Sequence, residues 1–356
     1  MRDRNQDTGK MEGKGRRSYR VVLIPLLVLA LALGYAYFRV AAMNRGVTGI
    51  VEKPPEAGPV TPTPGEELEI IEGTPDDIDL DYVVDVIDPS DVPIYKQARI
   101  DADVINILLI GSDVRPGESG NGRSDSMILL SYDKAKEEAR LVSFMRDVWI
   151  SIPDIGWNRI NAAYSYGGVG LSVNTVNENF NLDIQEYILV DFEGFKNIID
   201  EVGGIEVNLT KVEAKYINNG SAEAKVEVKD GIQKLNGTQA LIHSRNRKTG
   251  DGDFGRTRRQ REVMLALFTQ VRGDLQPLKL PALLNQVLSY ARTNMKPDTM
   301  MSLGLNVLSA KDLGMVNARI PFDNTWKYAM KEKRSVVTID LEENVERLHD
   351  LIYGED

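Results

Sequence analysis

Residues 104–111 read VINILLIG, an apolar run interrupted only by Asn106 and closed by a glycine. Such a run reads as a strand at the centre of a sheet, covered on both faces. Two more strands follow it, SMILLSY (126–132) and ARLVSF (139–144), joined by a turn from Asp133 to Glu138. Helical spacing appears over 170–180. EYILVD (186–191) is a strand and 192–202 a helix, ended by Gly203 and Gly204, and 205–209 is a short strand. KVEVKDG (225–231) has the alternation of half a hairpin. Asn236 is placed to cap a helix running to about Arg245. From Arg256 to about Val271, Val263, Leu267 and Val271 share one helical face, with Met264 and Phe268 beside them. Residues 277–309 carry two further amphipathic helices, 315–321 and 335–340 are late strands, and a helix closes the chain. Alternating strands and helices predict an α/β domain from 104 to 356, a three-layer α/β/α arrangement around a central mixed sheet.

The chain ahead of that domain has a different character. Residues 21–38 carry no charge, and as a helix they span about 27 Å, close to the hydrocarbon thickness of a bilayer. Lys14, Arg16, Arg17 and Arg20 precede them, which predicts a cytoplasmic tail at 1–20, a single transmembrane helix, and everything later outside the membrane. A cleaved signal peptide is the competing reading; the run is long for one, and Arg39 sits badly for cleavage. Residues 39–103 read as an extracytoplasmic linker. Its part from Val51 to Asp103 holds eight of the 15 prolines and has 15 acidic against three basic residues. Proline with like charge favours an extended, disordered stalk, within which Tyr82 to Ile87 is the one stretch able to pair as an edge strand.

Composition excludes much chemistry. There is no cysteine and there are two histidines, His243 and His349, so thiolate chemistry and multi-histidine metal sites are ruled out. Any metal is held by oxygens, which points to magnesium, manganese or calcium. No phosphate-binding P-loop, no GxSxG and no HExxH is present. A serine triad has no nameable partner for His243.

Two aspartates stand where ligands bind in open α/β sheets, at strand ends. Asp113 follows the first strand, Asp125 precedes the second, and Arg115 and Arg123 lie between. The pair suits a magnesium ion that shares its ligands with a phosphate; it is equally the chemistry of an ordinary loop. Arg146 follows the third strand, and Arg159 and Asn161 come soon after. Between His243 and Arg261 lie Arg245, Arg247, Lys248, Arg256, Arg258, Arg259 and Arg261, against Asp251 and Asp253 alone. Packed arginines repel, and they are worth that cost where an oxyanion sits between them. A charged helix face or a nucleic-acid patch explains the same stretch, although no aromatic platform interleaves it and it is expected outside the cell, so no nucleic-acid partner is expected.

Together these blocks resemble the LytR–CpsA–Psr family of bacterial cell-envelope phosphotransferases. The resemblance rests on NILLIGSD (106–113), GRSDSMILLS (122–131), SFMRD (143–147), NRINAAYSYGG (158–168), VDFEGFKNIIDEVGGIEV (190–207), LNGTQAL (235–241), RNR (245–247) and DFGRTRRQ (253–260), in that order. It implies that Asp113 and Asp125 hold magnesium, with manganese as the alternative. It implies that Arg123, Arg146, Arg245, Arg247 and Arg256 clasp the pyrophosphate of a lipid-linked substrate. Asp253 and Gln260 match polar positions of the last motif, Arg115 and Arg259 are secondary candidates, and Lys248, Arg258 and Arg261 are expected to face solvent. The sequence departs from the family at His243, where an aromatic residue is usual.

The implied reaction transfers a glycopolymer from a polyprenyl-pyrophosphate carrier to a peptidoglycan hydroxyl, releasing polyprenyl phosphate, with Asp113 or Asp253 as base. The lipid needs an apolar groove, for which helices 170–180, 192–202 and 256–271 carry suitable residues; ordinary core packing accounts for the same residues. Two other functions remain: a magnesium-dependent pyrophosphatase with water as nucleophile, and a non-catalytic envelope protein that binds or regulates anionic polymer.

Overall fold

The computed structural model describes residues 50–53, 69–71, 92–113, 122–221, 225–250, 252–274, 280–310, 314–331 and 334–354. The expected tail at 1–20, the transmembrane helix at 21–38, the stretch Tyr82 to Ile87, Arg115 and Asp251 lie outside the described residues. Among the described residues no helix is long and apolar enough to cross a membrane.

The central sheet has six strands: β4 (Val104–Ser112), β5 (Ser124–Asp133), β6 (Glu138–Phe144), β9 (Glu186–Asp191), β12 (Ala291–Thr293) and β13 (Gly314–Ile320), in the order β12-β9-β4-β5-β6-β13. It is mixed. β5 runs antiparallel to β4 and β6, while β4 with β9 and β6 with β13 are parallel. Side chains of a strand alternate between the two faces, and both faces are buried. Leu108, Ile110, Met127 and Leu129 point into one core, with Val173 and Phe180 of α1 (Ala162–Phe180) and Leu348 of α8 (Leu341–Tyr353). Ile107, Ile128, Leu130 and Leu141 point into the other. That second core is covered by α5 (Gly252–Asp274), α6 (Leu280–Leu288) and α7 (Pro297–Ser309). The three-layer expectation is thus met.

A smaller lobe stands beside the sheet. β10 (Ile205–Leu209) and β11 (Gly231–Leu235) form an antiparallel pair, packed with α2 (Phe192–Glu201), α3 (Lys211–Gly220) and α4 (Gly237–Ser244) around Ile199, Leu209, Ile217 and Leu235. Its helices start where the sequence supplies caps. Asp191 accepts from Gly194 N at 2.7 Å, and Asn236 accepts from Gln239 N at 2.9 Å in a reciprocal capping box. Residues 225–230, expected to form half of a hairpin, are not a strand; the polar stretch Gly231–Leu235 pairs instead.

The remaining strands are short: β1 (Ile50–Val51), β2 (Glu69–Ile71), β3 (Ile94–Tyr95), the hairpin β7 (Trp149–Ile152) with β8 (Gly156–Arg159), and β14 (Trp326–Lys331) with β15 (Arg334–Ile339). Three of them correct the boundary drawn at Val104. β1 pairs with β3, and β2 pairs with β14. Ile94 is fully buried, Tyr95 N donates to Asn174 Oδ1 at 2.9 Å, and Arg99 reaches Glu186 at 2.9 Å. Parts of the expected linker are therefore built into the domain. The acidic, proline-rich composition of 51–103 as a whole hid these short apolar pieces.

Candidate functional site

The site forms where β4 ends, β5 begins and β6 ends, a position set by the antiparallel order of these three strands. The register of β4 against β5 shifts between Gly111 and Ser112, a bulge that re-aims the chain just before Asp113. Asp113 Oδ1 accepts from Arg123 N at 2.6 Å, and Asp113 N donates to Arg123 O at 3.2 Å. This closes the loop between the strands and sets Asp113 near Asp125. Burial pushes the Asp113 carboxyl above its ordinary range; the Arg123 N–H opposes this, and the charge of Asp125 adds to it.

Facing this pair is the first turn of α5. Asp253 lies there among three guanidiniums. Its Oδ1 is 2.7 Å from Arg256 Nη2, 3.6 Å from Arg146 Nε and 3.6 Å from Arg247 Nε. Arg146 also reaches Asp125 Oδ1 at 3.7 Å and Asp147 Oδ2 at 3.3 Å. Gln260 Nε2 donates to the Asp125 carbonyl at 3.3 Å. Asp125, Arg146, Asp253, Arg247 and Arg256 are thus one connected network drawn from β5, the end of β6, the loop after α4, and α5.

The network is rich in positive charge. Arg256 is only 2% exposed, and its Nε has no hydrogen-bond partner among the described residues. Its guanidinium is pushed down to about 10, mainly by burial, with Arg146 and Arg247 adding to the effect and Asp253 and Asp125 opposing it. Guanidiniums held this close favour a shared oxyanion of high charge.

The expected residues sort into four groups. Asp113, Asp125, Arg123, Arg146, Arg247, Asp253, Arg256 and Gln260 come together. Arg245 lies outside the ion-pair network but lines the cavity that opens from it; it is exposed, with its guanidinium 4.3 Å from the centre of the Phe192 ring. Two arginines differ from expectation. Arg259 is 1% exposed and binds inward: Nε to Glu213 Oε1 at 2.6 Å, Nη1 to Asn246 O at 2.9 Å, and Nη2 to Thr249 O. It braces the loop that carries Arg247 and has no route to a ligand in the site. Arg261, expected to face solvent, is largely buried. Arg258 is exposed as expected; Lys248 is exposed too, but it also lines the cavity. Asp147 was missed. It pairs with Arg146 and, at 3.1 Å, with Arg159, whose Nη2 donates to Ser335 O at 2.6 Å. Its adjacency to Arg146 in the sequence was the available signal.

An apolar cavity of about 1270 Å³ opens at this network. Asp125, Arg247, Arg256 and Gln260 line its polar end. From there it follows β5 past Ile128 and Leu130 to Tyr132, seven strand steps or about 24 Å. Phe192 and Phe195 of α2, Met264 and Phe268 of α5, and Leu303 and Val307 of α7 enclose it. Two of the three helices expected to line a groove do so. The third, 170–180, packs on the opposite face of the sheet.

For a metal, the donor set is two hard carboxylates, and no cluster of three or more histidine, cysteine or acidic side chains able to hold one occurs among the described residues. Asp113 and Asp125 repel one another across the loop, which a divalent cation between them would relieve. This fits a magnesium ion bound by few protein oxygens.

A family model described as the LytR_cpsA_psr family matches residues 85–346. The chain is 32% identical over 225 residues to regulatory protein MsrR of Staphylococcus aureus, covering 63% of this chain and 66% of that protein, just short of two thirds of its length. It is 37% identical over 232 residues to the polyisoprenyl-teichoic acid–peptidoglycan teichoic acid transferase TagU of Oceanobacillus iheyensis, covering 63% of this chain and 69% of TagU. Among solved structures, the LytR-CPS2A-psr family protein YwtF (TagT) with bound octaprenyl pyrophosphate lipid shares the fold. The TM-score is 0.56 at 21% identity, over 72% of this chain and 92% of that one.

Proposed function

Because the chain belongs to the LytR_cpsA_psr family, we propose that it is a transferase that moves a glycopolymer from a polyprenyl-pyrophosphate carrier onto a peptidoglycan hydroxyl. One observation carries the reading: a cluster of guanidiniums opens directly into a long apolar cavity. A pyrophosphate head and a prenyl tail need those two environments side by side. The name of TagU supports the reaction, and the octaprenyl pyrophosphate bound to YwtF supports the ligand.

In this reading the tail lies along β5 and the pyrophosphate sits among Arg146, Arg247 and Arg256. Arg123 and Arg245 flank the mouth. Asp113 and Asp125 would hold magnesium, with manganese as the alternative; when bound it neutralises charge on the pyrophosphate oxygens. The acceptor hydroxyl attacks the sugar-side phosphorus, the bond from that phosphorus to the bridging oxygen breaks, and polyprenyl phosphate leaves. Such transfers depend on positioning and charge neutralisation more than on covalent help. The hydroxyl proton passes to Asp113, the carboxylate that directly follows β4. Asp253 is engaged on its carboxylate by Arg146, Arg247 and Arg256. Its role is to set the spacing of those arginines. The energy comes from the pyrophosphate bond and no ATP is needed, which fits a site outside the membrane, where the anchor read at 21–38 would place it.

The test uses the full chain in membrane vesicles with a polyprenyl-pyrophosphate-linked glycan, magnesium and a peptidoglycan oligomer. Glycan joined to the oligomer, and lost in both Asp125→Ala and Arg247→Ala, supports transfer. Release of free phosphorylated glycan alone shows a pyrophosphatase. No turnover, with polymer binding intact in both variants, leaves a regulatory protein of the kind that the name MsrR describes.

A further inference from the structure

A second group of basic side chains lies under α5, and none of its members lines the apolar cavity. Arg319 of β13 lays its guanidinium 4.4 Å from the centre of the Phe254 ring, directly after the network residue Asp253. It donates to Pro321 O and pairs with Asp323, whose side chain is 83% exposed. Phe254 in turn packs against Trp326 at 4.5 Å, and Trp326 meets Tyr328 edge-on at 5.1 Å. Arg261 lies seven residues after Phe254 on the same helix, two turns along and on the same side.

Strand register brings in a third polar group. Arg319 and Ser143 are direct partners in the β6–β13 ladder and so share a face of the sheet. It is the face covered by α5, since Leu141 of β6, Met315 of β13 and Leu265 of α5 meet in the second core. Ser143 is 1% exposed, and its Oγ has no hydrogen-bond partner among the described residues. Arg261 Nη1 is likewise buried and has no hydrogen-bond partner among the described residues. Burial pushes its guanidinium down to about 10; the neighbouring Arg319 and Arg258 add to the shift, and Glu262 opposes it. A buried cation beside a like charge is retained at a cost that an anion removes.

We propose that Ser143, Arg261 and Arg319 form a second oxyanion site, which takes one carboxylate of the acceptor. The assignment to the acceptor rests on the transferase reading above. The donor occupies the cavity, and these residues lie outside it. Ser143 lies near the end of β6, three residues before Arg146, which follows the strand. A muramyl peptide has a sugar hydroxyl and a stem carboxylate on one small molecule. It would present the hydroxyl at the arginine network while the carboxylate sits between Arg261 and Arg319. The aromatic group of Phe254, Trp326 and Tyr328 forms the adjoining wall.

The test is binding to the full chain, without turnover, followed by tryptophan fluorescence and by melting temperature. The probes are muramyl dipeptide, its uncharged diamide and inorganic phosphate. The dipeptide is expected to bind at least about tenfold more tightly than the diamide, and Arg261→Met to lose at least about tenfold in dipeptide affinity. Arg261→Lys should recover part of that loss. Binding of polyprenyl pyrophosphate should be unchanged in Arg261→Met. Ser143→Ala, a smaller change, should weaken the dipeptide in the same direction if Arg261→Met does not fold. Equal affinity for dipeptide and diamide overturns the proposal. So does an Arg261→Met protein that melts higher and binds the dipeptide as well as the parent. Saturable phosphate binding with none of the dipeptide overturns the acceptor assignment. Failure of glycan transfer with dipeptide binding intact would count against the transferase reading and leave this site standing.

Discussion

Arg259 and Glu213 make the sharpest case for testing how the site is held. Their Nε–Oε1 contact is 2.6 Å, and their side chains are 1% and 6% exposed. Replacing Arg259 with methionine keeps most of the volume and strips the donor from Glu213 Oε1, Asn246 O and Thr249 O. Breaking a buried pair from one side costs about 3–5 kcal/mol, because a buried charge is left alone. Glu213 keeps two other bonds, from Thr210 N at 2.9 Å and Thr210 Oγ1 at 2.8 Å, so the lower end, about 3 kcal/mol, is expected. Glu213→Gln removes the charge while retaining an acceptor for the cap and should cost less. The double variant should fall well short of the sum, with a coupling of more than about 1 kcal/mol. Acid adds an independent check. Burial alone would raise the Glu213 carboxyl, but the Thr210 N–H and the Arg259 guanidinium outweigh it and hold it below its ordinary range. Its contribution is therefore present above the unfolded-state value and lost as pH falls through the lower, folded-state value. Denaturant unfolding of the full chain at neutral pH and through the acid range reads both effects, and Glu213→Gln should flatten part of the acid limb. Turnover should fall with kcat rather than KM, since the loop from Asn246 to Thr249 carries Arg247. An Arg259→Met protein within about 1 kcal/mol of the parent, or strict additivity with Glu213→Gln, would refute the bracing role.

Other consequences are simpler to read. Arg256→Ala should lower turnover by about 10²–10³, the usual effect of losing one preorganised donor to developing charge; a fall below tenfold in single-turnover transfer would remove it from the clamp. Leu130→Trp narrows the cavity beside β5 and should weaken polyprenyl-pyrophosphate binding without altering magnesium affinity, both measurable by calorimetry. Because burial and Asp125 raise the Asp113 carboxyl, protonation competes with magnesium early. Metal affinity should begin to fall, as pH is lowered, above the range of an ordinary aspartate, and an onset within that range would contradict the buried pair.

Much of the sheet was legible because its strands are apolar on both faces. The runs at 104, 126 and 139 have no other stable use, and each became a neighbour in the sheet. Caps such as Asn236 were legible because their chemistry is local. β14 was not, because Trp326 to Lys331 mixes lysine with aromatics and reads as surface. The hairpin half at 225–231 failed for the opposite reason. Its alternation is real, but the strand that pairs is Gly231–Leu235, and two adjacent period-two stretches cannot be ranked by pattern. The side of the sheet taken by helix 170–180 is a matter of topology. The helix is buried nearly all round, so its composition carries no direction. In the site, Asp253 and Arg256 were readable through the family resemblance carried by DFGRTRRQ (253–260). Arg259 and Arg261 were not, since burial and partners from other elements decide what an arginine does.

α5 touches both ends of the site. Asp253, Arg256 and Gln260 on its first turns belong to the polar network, Met264 and Phe268 roof the cavity, and Arg259 braces the neighbouring loop. As a single helix of 23 residues, it is a rod about 34 Å long. A rod does not bend to suit one end. Whatever seats the far part of a carrier's tail against Phe268 also sets the angle at which Arg256 meets the phosphates. Tail and head are then weighed in one motion, so a carrier cut short would lose speed as well as grip, its distant carbons having acted as the handle of a lever.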